Sequence, residues 1–324
     1  MPYTREKQVA LEAVKRAAEL CAAVRAEMVG SSFVQKGDNS PVTIADWGAQ
    51  ALVCHALADA FPEDAIVAEE DAAALRAPAN AAILEQVTHY VQRLEPTATP
   101  QTVCDWIDVG GKTLAQRYWT LDPIDGTKGF LRNDQYAVAL ALVVDGEVKV
   151  GVLGCPALPL QLDEPAAKSG ALFVAVRGAG AEMLPLAGGA AVPLQVATAG
   201  NNVRFVESVE SGHGNQELQQ RIAQAAGITQ PSVRMDSQAK YGVVARGEAA
   251  LYLRLTSPKT PDYRENIWDH AAGTIIVEEA GGRVTDMYGK PLDFAAGAKL
   301  QDNRGIVVSN GAIHAAVIEA LSQA

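Results

Sequence analysis

Two aspartates three positions apart, Asp122 and Asp125, stand where an apolar segment gives way to a turn. They lie in the sequence LDPIDGTKGF, residues 121–130, where Pro123 and two glycines predict a sharp change of direction. Two carboxylates this close repel each other unless a cation lies between them. Mg²⁺ prefers oxygen ligands and binds through one or two carboxylates together with substrate phosphate. The spacing therefore indicates a divalent-cation site, although Asp and Gly are also ordinary turn residues.

Other groups in the chain could complete such a site. The backbone amides of Gly126 and Thr127, just after the turn, can bind phosphate oxygens. Three consecutive acids follow the apolar segment 65–68, and Asp46 and Asp269 stand where helices are predicted to begin. Taken singly, an acidic run is typical of a solvated loop and an Asp at a helix start is typical of an N-cap. Each motif alone leaves both interpretations open.

Composition narrows the class of protein. The chain has 324 residues, is 48% hydrophobic and carries a formal charge of −11. That charge argues against nucleic-acid polymers and anionic membranes as partners. A small anionic substrate would need local positive charge from metal ions and a few basic residues. The N-terminus lacks the apolar core of a signal peptide, so we expect a cytoplasmic location. The four cysteines are widely spaced and are interpreted as buried thiols.

Element patterns divide the chain into two predicted domains. Apolar segments on both sides of Asp145-Gly146 predict a hairpin, and residues 171–176 add a strand, so residues 1–195 form an α+β domain with an antiparallel sheet and the acidic loop. Strands and helices alternate in residues 196–324, which predicts an α/β domain. Residues 72–118 separate two acidic motifs and are interpreted as a lid over the site.

Several motifs together resemble one enzyme superfamily. LDPIDGTKGF, the segment WDHAAG at residues 268–273 with its apolar helix and Gly-Gly, and VT.AD around Asp46 are similar to the motifs of the lithium-sensitive, Mg²⁺-dependent phosphomonoesterases. This superfamily includes inositol monophosphatases, inositol polyphosphate 1-phosphatases, fructose bisphosphatases and 3′(2′),5′-bisphosphate nucleotidases. The KGF triplet at residues 128–130 favours the nucleotidases. The resemblance implies a layered αβαβα sugar-phosphatase fold, of α+β or α/β class.

The resemblance also implies a ligand set for two to three Mg²⁺ ions, with Li⁺ and Na⁺ inhibitory. The implied ligands are the carboxylates and one main-chain carbonyl of Glu69, Asp122, Ile124, Asp125 and Asp269. Glu70 would be a supporting carboxylate next to the metal ligands that does not itself bind the metal. Thr127, oriented by Asp46, would position the attacking water.

Substrate contacts are implied in the same way. They are Gly126, Thr127 and Asp269 together with His213, Ser237, Lys240 and Arg254. Arginine and lysine suit a second phosphate in an acidic protein, because a guanidinium can bind phosphate through two hydrogen bonds. Gly214 follows His213 where the family commonly has an acidic residue, so the nucleotide contacts of that loop are left open.

The implied activity is hydrolysis of the 3′ (or 2′) phosphate of adenosine 3′(2′),5′-bisphosphate to AMP and phosphate, which belongs to sulfur assimilation. Its sulfated relative is a further candidate substrate. An inositol mono- or polyphosphate 1-phosphatase is the alternative enzyme, because the metal motifs are shared, and a catalytically silent nucleotide sensor is the alternative outside enzymes. We expect a monomer. A removed organellar targeting peptide is left open.

Overall fold

The computed structural model describes residues 2–27, 33–35, 41–111, 113–164, 170–198, 204–209, 216–256 and 262–323. The helices in these residues are α1 (Thr4–Glu27), α2 (Ile44–Ala60), α3 (Ala81–Gln92), α4 (Pro100–Asp108), α5 (Thr127–Leu131), α6 (Gln216–Ala225), α7 (Ala239–Ala245), α8 (Ala271–Glu279) and α9 (His314–Ser322). A 3₁₀ turn, Pro78–Asn80, precedes α3.

The strands form three sheets. They are β1 (Phe33–Gln35), β2 (Pro41–Thr43), β3 (Ala65–Ala68), β4 (Arg117–Asp125), β5 (Ala137–Val144), β6 (Glu147–Cys155), β7 (Ala171–Val176), β8 (Gly180–Pro185), β9 (Val192–Pro193), β10 (Phe205–Glu207), β11 (Val233–Arg234), β12 (Leu251–Arg254), β13 (Arg283–Thr285) and β14 (Ile306–Ser309). β1 pairs with β2, β3 to β9 form the large sheet in sequence order, and the small sheet has the order β11-β10-β12-β14-β13.

The large sheet is antiparallel apart from the pair of β3 and β4, which run parallel. Parallel neighbours cannot be joined by a tight turn and need a crossover of a dozen or more residues. The segment between β3 and β4 is that crossover, and it carries α3 and α4. Topology therefore explains a long insertion between the two acidic motifs.

Three hydrophobic clusters separate five layers of secondary structure. The first lies between helices α1 to α4 and one face of the large sheet. The second joins the other face of that sheet to α7, α8 and the small sheet. The third lies between the small sheet and the outer helices α6 and α9. The predicted layered αβαβα fold is confirmed, and the division into domains at residue 195 stays a prediction.

The crossover helices belong to the first hydrophobic layer. Val87 and Val91 of α3 and Val103 and Ile107 of α4 are fully buried in the cluster that holds α1 and α2. These contacts give residues 81–108 a packing role. A lid over the site stays a prediction without support from these contacts.

The start of α2 excludes one of the two interpretations of Asp46, that of a helix N-cap. The N-cap is Thr43, whose hydroxyl oxygen accepts the N–H groups of Ala45 and Asp46. Asp46 lies in the first turn, and its Oδ2 accepts the N–H of Thr43 at 2.8 Å. This reciprocal capping box satisfies backbone donors that a helix start otherwise leaves free, and it leaves Oδ1 of Asp46 for another partner. All four cysteines are buried free thiols, as predicted.

Candidate active site

Strand pairing places Glu69 beside Asp122. Ala68 at the end of β3 lies opposite Leu121 of β4, and the N–H of Glu69 donates to the Leu121 carbonyl at 3.2 Å. Gln50 of α2 holds the next residue, because its amide both donates to the Glu70 carbonyl and accepts the Glu70 N–H. Glu70 itself is buried. The parallel pair therefore brings the two acidic motifs to one edge of the large sheet.

A β-bulge orients the two aspartates of the turn. Residues three apart on a regular strand point to opposite faces. In the pairing with β5, Asp122 lies opposite Ala139 and Asp125 opposite Ala137, so β4 contains one extra residue between them. The extra residue restores a common direction, and both aspartates line the same pocket.

Thr127 and Asp46 meet as predicted. The Thr127 hydroxyl lies 3.3 Å from Oδ1 of Asp46 and 3.2 Å from the carbonyl of Ile124. Asp46 is fully buried and held by its capping box. The helix start at α2 thus fixes a carboxylate next to the Thr127 hydroxyl.

Gln238 connects the turn to the start of α8. Its N–H donates to Oδ2 of Asp125 at 2.5 Å. Its buried side chain donates to the Trp268 carbonyl at 2.9 Å and accepts the Gly273 N–H at 3.1 Å. Because Trp268 precedes Asp269, this one residue sets the position of Asp269 relative to Asp125.

Electrostatics of the acidic side chains suit a bound cation. Burial raises the pKa of Asp122 well above its usual range, and the neighbouring carboxylates raise it further. Burial likewise raises the pKa of Asp269, with Asp125 the next cause. Oδ1 of Asp122 is buried with no hydrogen-bond partner among the described residues. A buried oxygen without a donor and clustered oxygen ligands fit Mg²⁺.

Basic residues line the same pocket, which has a volume of about 290 Å³. Lys240 is buried beneath the Tyr252 ring, with Nζ 5.0 Å from the ring centroid and 3.3 Å from the Met235 carbonyl. Burial lowers the pKa of Lys240 to about 8. Arg254 closes the small-sheet side at the end of β12. Positive charge therefore lies in the same cavity as the acidic group.

Arg254 is itself tied to a buried network. Its Nε donates to Oε1 of Glu265 at 3.0 Å, and Oε2 of Glu265 lies 3.4 Å from His270 Nε2. Burial raises the pKa of Glu265, but Arg254 and His270 outweigh it and lower the pKa to about 2. Ligand atoms of Glu265, Asp269 and His270 lie within 4.8 Å of one another. All three residues already bind protein partners, since Oδ2 of Asp269 accepts the Asn266 side-chain amide at 3.3 Å.

Two loops of the pocket approach each other closely at Gly126 and Ser237. Gly126 has φ 85° and Ser237 has φ 66°, and both lie in the left-handed region, which is unusual for serine. A Cβ on Gly126 would lie 3.0 Å from the Cβ of Ser237. The Ser237 hydroxyl accepts the Ala239 N–H at 3.1 Å. Glycine at 126 is therefore required both by the backbone and by the neighbouring loop.

Most of the predicted site residues share this pocket. Its lining includes Glu69, Asp122, Ile124, Asp125, Gly126, Thr127, Ser237, Lys240, Arg254 and Asp269. Asp46 contacts the pocket through Thr127, and His213 lies outside the described residues. The sequence analysis missed several lining residues, among them Lys128, Asp236, Gln238, Tyr252, Tyr263 and Glu265. Glu265 lies three residues before the WDHAAG segment, and no local signal distinguishes it from an ordinary polar residue.

Comparison with known proteins decides the family. The model of the inositol monophosphatase family matches residues 4–324. The chain belongs to the inositol monophosphatase family. The predicted phosphatase-family enzyme is thereby confirmed, and membership implies metal-dependent catalysis.

Curated relatives cover the chain almost completely. A 3′(2′),5′-bisphosphate nucleotidase of Emericella nidulans is 44% identical, with 100% of this chain and 99% of the relative covered. The protein of the same name from Schizosaccharomyces pombe is 42% identical, with 99% and 96% covered. The predicted resemblance to these nucleotidases is confirmed.

Solved structures show the same fold. An IMPase from Thermotoga maritima aligns with a TM-score of 0.68 at 21% identity and covers 99% of this chain and 98% of its own. CysQ from Bacteroides thetaiotaomicron, a bacterial member of the inositol monophosphatase family, aligns with a TM-score of 0.59 at 21% identity, with 96% and 98% covered. In the part of the chain that the structure describes, no helix is long and apolar enough to cross a membrane.

Proposed function

We propose that the protein is a Mg²⁺-dependent 3′(2′),5′-bisphosphate nucleotidase that hydrolyses adenosine 3′,5′-bisphosphate to AMP and phosphate. One observation carries the proposal: a single pocket is lined both by clustered carboxylates and by Lys240 and Arg254. A bisphosphate presents two anionic groups, one for metal held by the carboxylates and one for the basic residues. The names of the curated relatives support the same substrate.

The proposed Mg²⁺ ligands are Glu69, Asp122, Asp125 and Asp269 with the Ile124 carbonyl. Mg²⁺ bound there neutralises phosphate charge and acidifies a water molecule. The unsatisfied Oδ1 of Asp122 supports this assignment. Li⁺ is the proposed inhibitor, because it can take a Mg²⁺ position with too little charge.

Thr127 and Asp46 are proposed to handle the proton of the attacking water. The Thr127 hydroxyl can donate to Oδ1 of Asp46, which leaves its oxygen lone pairs to accept a hydrogen bond from water. The proton of the water would pass to the Thr127 oxygen while the hydroxyl proton moves to Asp46. Gly126 and Thr127 N–H groups are the proposed donors to phosphate oxygens. No covalent enzyme intermediate is required.

The test compares two substrates. Phosphate release is measured from adenosine 3′,5′-bisphosphate and from inositol 1,4-bisphosphate with Mg²⁺, then with added Li⁺. We expect Li⁺-sensitive turnover of the nucleotide and weak turnover of the inositol phosphate. Thr127→Ser should retain most activity, whereas Thr127→Ala should lose about 100-fold in kcat because the hydroxyl is gone.

Other outcomes would change the assignment. Turnover of inositol 1,4-bisphosphate alone would make the protein an inositol phosphatase. Binding of the nucleotide without hydrolysis of either compound would leave a nucleotide sensor.

A further inference from the structure

Arg254 lies in the pocket wall, shielded from water together with its partner. The side chains of Arg254 and Glu265 are 18% and 8% exposed, and Nε and Oε1 lie 3.0 Å apart. Exposed ion pairs fluctuate and contribute little to stability. A shielded guanidinium, by contrast, needs a carboxylate partner to balance its charge, and that partner also fixes its orientation. The position of Arg254 is therefore coupled to that of Glu265.

Glu265 is held from its other oxygen. Because Glu265 is ionised, it can only accept, so His270 must donate to it from Nε2. Nδ1 of His270 then accepts the Tyr241 hydroxyl at 2.7 Å. The resulting chain of donors runs in one direction, from Tyr241 through His270 to Glu265, and Arg254 donates to the same carboxylate.

Packing fixes the far end of this chain. Tyr241 is buried in α7, and a Cβ on Gly273 of α8 would lie 2.3 Å from its ring. The absence of a side chain at 273 therefore lets the Tyr241 ring reach His270. A single contact point between two helices in the middle layer thus supports the whole network.

We propose that Glu265 is a positioning residue: anchored by His270 and Tyr241, it directs the Arg254 guanidinium at the non-reacting phosphate of the substrate. Glu265 engages the Nε edge, which leaves further N–H donors of the planar guanidinium for phosphate oxygens. This inference rests on the proposed nucleotidase function. It adds to it a residue that acts through Arg254 and sets specificity for a second anion.

The first experiment compares substrates with and without the second phosphate. Kinetics of Glu265→Gln are measured with adenosine 3′,5′-bisphosphate and with adenosine 3′-monophosphate. We expect KM for the bisphosphate to rise about tenfold, with kcat within about threefold, and KM for the monophosphate to change less than about twofold. Affinity for AMP, measured by calorimetry without turnover, should fall about tenfold.

The matched control is Asp64→Asn. Asp64 also binds an arginine, accepting Arg117 Nε at 2.8 Å, in a pair that is more exposed, at 10% and 31%, and lies outside the pocket lining. The Asp64→Asn variant removes one charge from an arginine–carboxylate pair, as Glu265→Gln does. We expect KM for both substrates to stay within about twofold of wild type.

A double-mutant cycle with Arg254→Lys tests the route of the effect. If Glu265 acts through Arg254, Glu265→Gln should change KM less than about twofold in the Arg254→Lys background. Additive effects, or equal KM increases for the two substrates, would overturn the proposal. Should Glu265→Gln fail to fold, Glu265→Asp replaces it, with an expected KM increase of about threefold for the bisphosphate only.

Wild-type measurements separate the two proposals. If the wild-type protein neither hydrolyses the bisphosphate nor binds AMP, the proposed function fails. If it does both and the Glu265 variants match it, only the positioning role is overturned.

Discussion

Two groups of buried carboxylates share one pocket and differ in their partners. Asp122, Asp125 and Asp269 face one another. Burial raises the pKa of each, and neighbouring carboxylates raise the pKa values of Asp122 and Asp269 further. Glu265 is similarly buried, yet Arg254 and His270 hold its pKa at about 2. We call the first group uncompensated, because its pKa values stay raised despite the nearby Lys240 and Arg254, and we call Glu265 compensated.

This difference shows that proximity of acidic groups does not by itself define a metal site. Glu265, Asp269 and His270 are close enough to bind one ion, but Glu265 and His270 are already engaged by Arg254 and Tyr241. Asp122 keeps an oxygen without a donor. We therefore assign the cation to the uncompensated group and a supporting role to the compensated one.

Asp122→Asn should have the largest effect and should act oppositely on activity and stability. Phosphate release should fall by about 1,000-fold or more, because a proposed metal ligand is lost. The metal-free protein should become more stable by about 1 kcal/mol, because one buried charge is removed from a repelling group. Phosphate assays and urea unfolding in EDTA measure the two effects. A destabilised metal-free variant would mean that Asp122 is compensated after all.

Glu265→Ala should reverse the sign of the stability effect. It leaves the Arg254 guanidinium buried without its partner, which costs about 3 kcal/mol in the free energy of unfolding. Urea unfolding measures the loss. The control is Glu147→Ala, which removes a half-exposed carboxylate paired with Lys149 and should cost less than about 1 kcal/mol. Equal losses in the two variants would erase the contrast between the two groups of acids.

Gln238→Ala should weaken the link between the halves of the uncompensated group. The main-chain contact to Asp125 can persist, but the two side-chain bonds to the start of α8 are lost. We expect kcat to fall about 10- to 100-fold and the Mg²⁺ concentration for half-maximal activity to rise. Gln116→Ala, which removes an exposed side chain bound to Asp145, serves as the control. An unchanged Mg²⁺ requirement would show that Asp269 is positioned without Gln238.

The smallest expected effect concerns His314 and the pH dependence of stability. His314 lies in a third type of environment, in which a buried imidazole is surrounded by hydroxyl groups. Thr285 and Ser309 lie 2.9 and 2.8 Å from its ring nitrogens, and burial lowers its pKa to about 4. The unfolded chain binds a proton near pH 6.5, so stability is present above that value and is lost as pH falls towards 4. Between pH 7 and 5 the loss should be about 1 to 2 kcal/mol.

The measurement for His314 is urea unfolding of wild type and His314→Asn at both pH values. The variant should lose less stability on acidification than the wild-type protein does. Equal slopes would mean that other groups cause the pH dependence.

Local signals in the sequence identified most of the elements. The apolar segments 65–68, 171–176 and 306–309 are strands with those bounds, because buried strands carry continuous apolar runs. Four carboxylates of the pocket, Glu69, Asp122, Asp125 and Asp269, were also found, since each lies in a short motif. Asp46 lies beside Thr127, and the alternative interpretation of Asp46 as an N-cap is excluded because Thr43 occupies that position.

Contacts between segments that are distant in the sequence could not be predicted from local sequence patterns. The bulge that aligns Asp122 with Asp125 depends on the register with β5. Gln238 and Glu265 act through partners in other elements, so nothing in their immediate neighbours distinguishes them from ordinary polar residues. The crossover was interpreted as a lid because its length was visible, whereas the parallel pairing that requires it was not.

That parallel pairing has a consequence for how the protein reaches its native state. Glu69 can lie beside Asp122 only after the crossover between β3 and β4 has folded. Asp269 joins them from a segment that lies much further along the sequence. Closing long loops costs entropy before the contacts that reward it can form, so such pairings form slowly. Hairpins such as β5 and β6 can therefore form early, while the acidic group assembles among the last events of folding, and regained activity reports the completion of the fold.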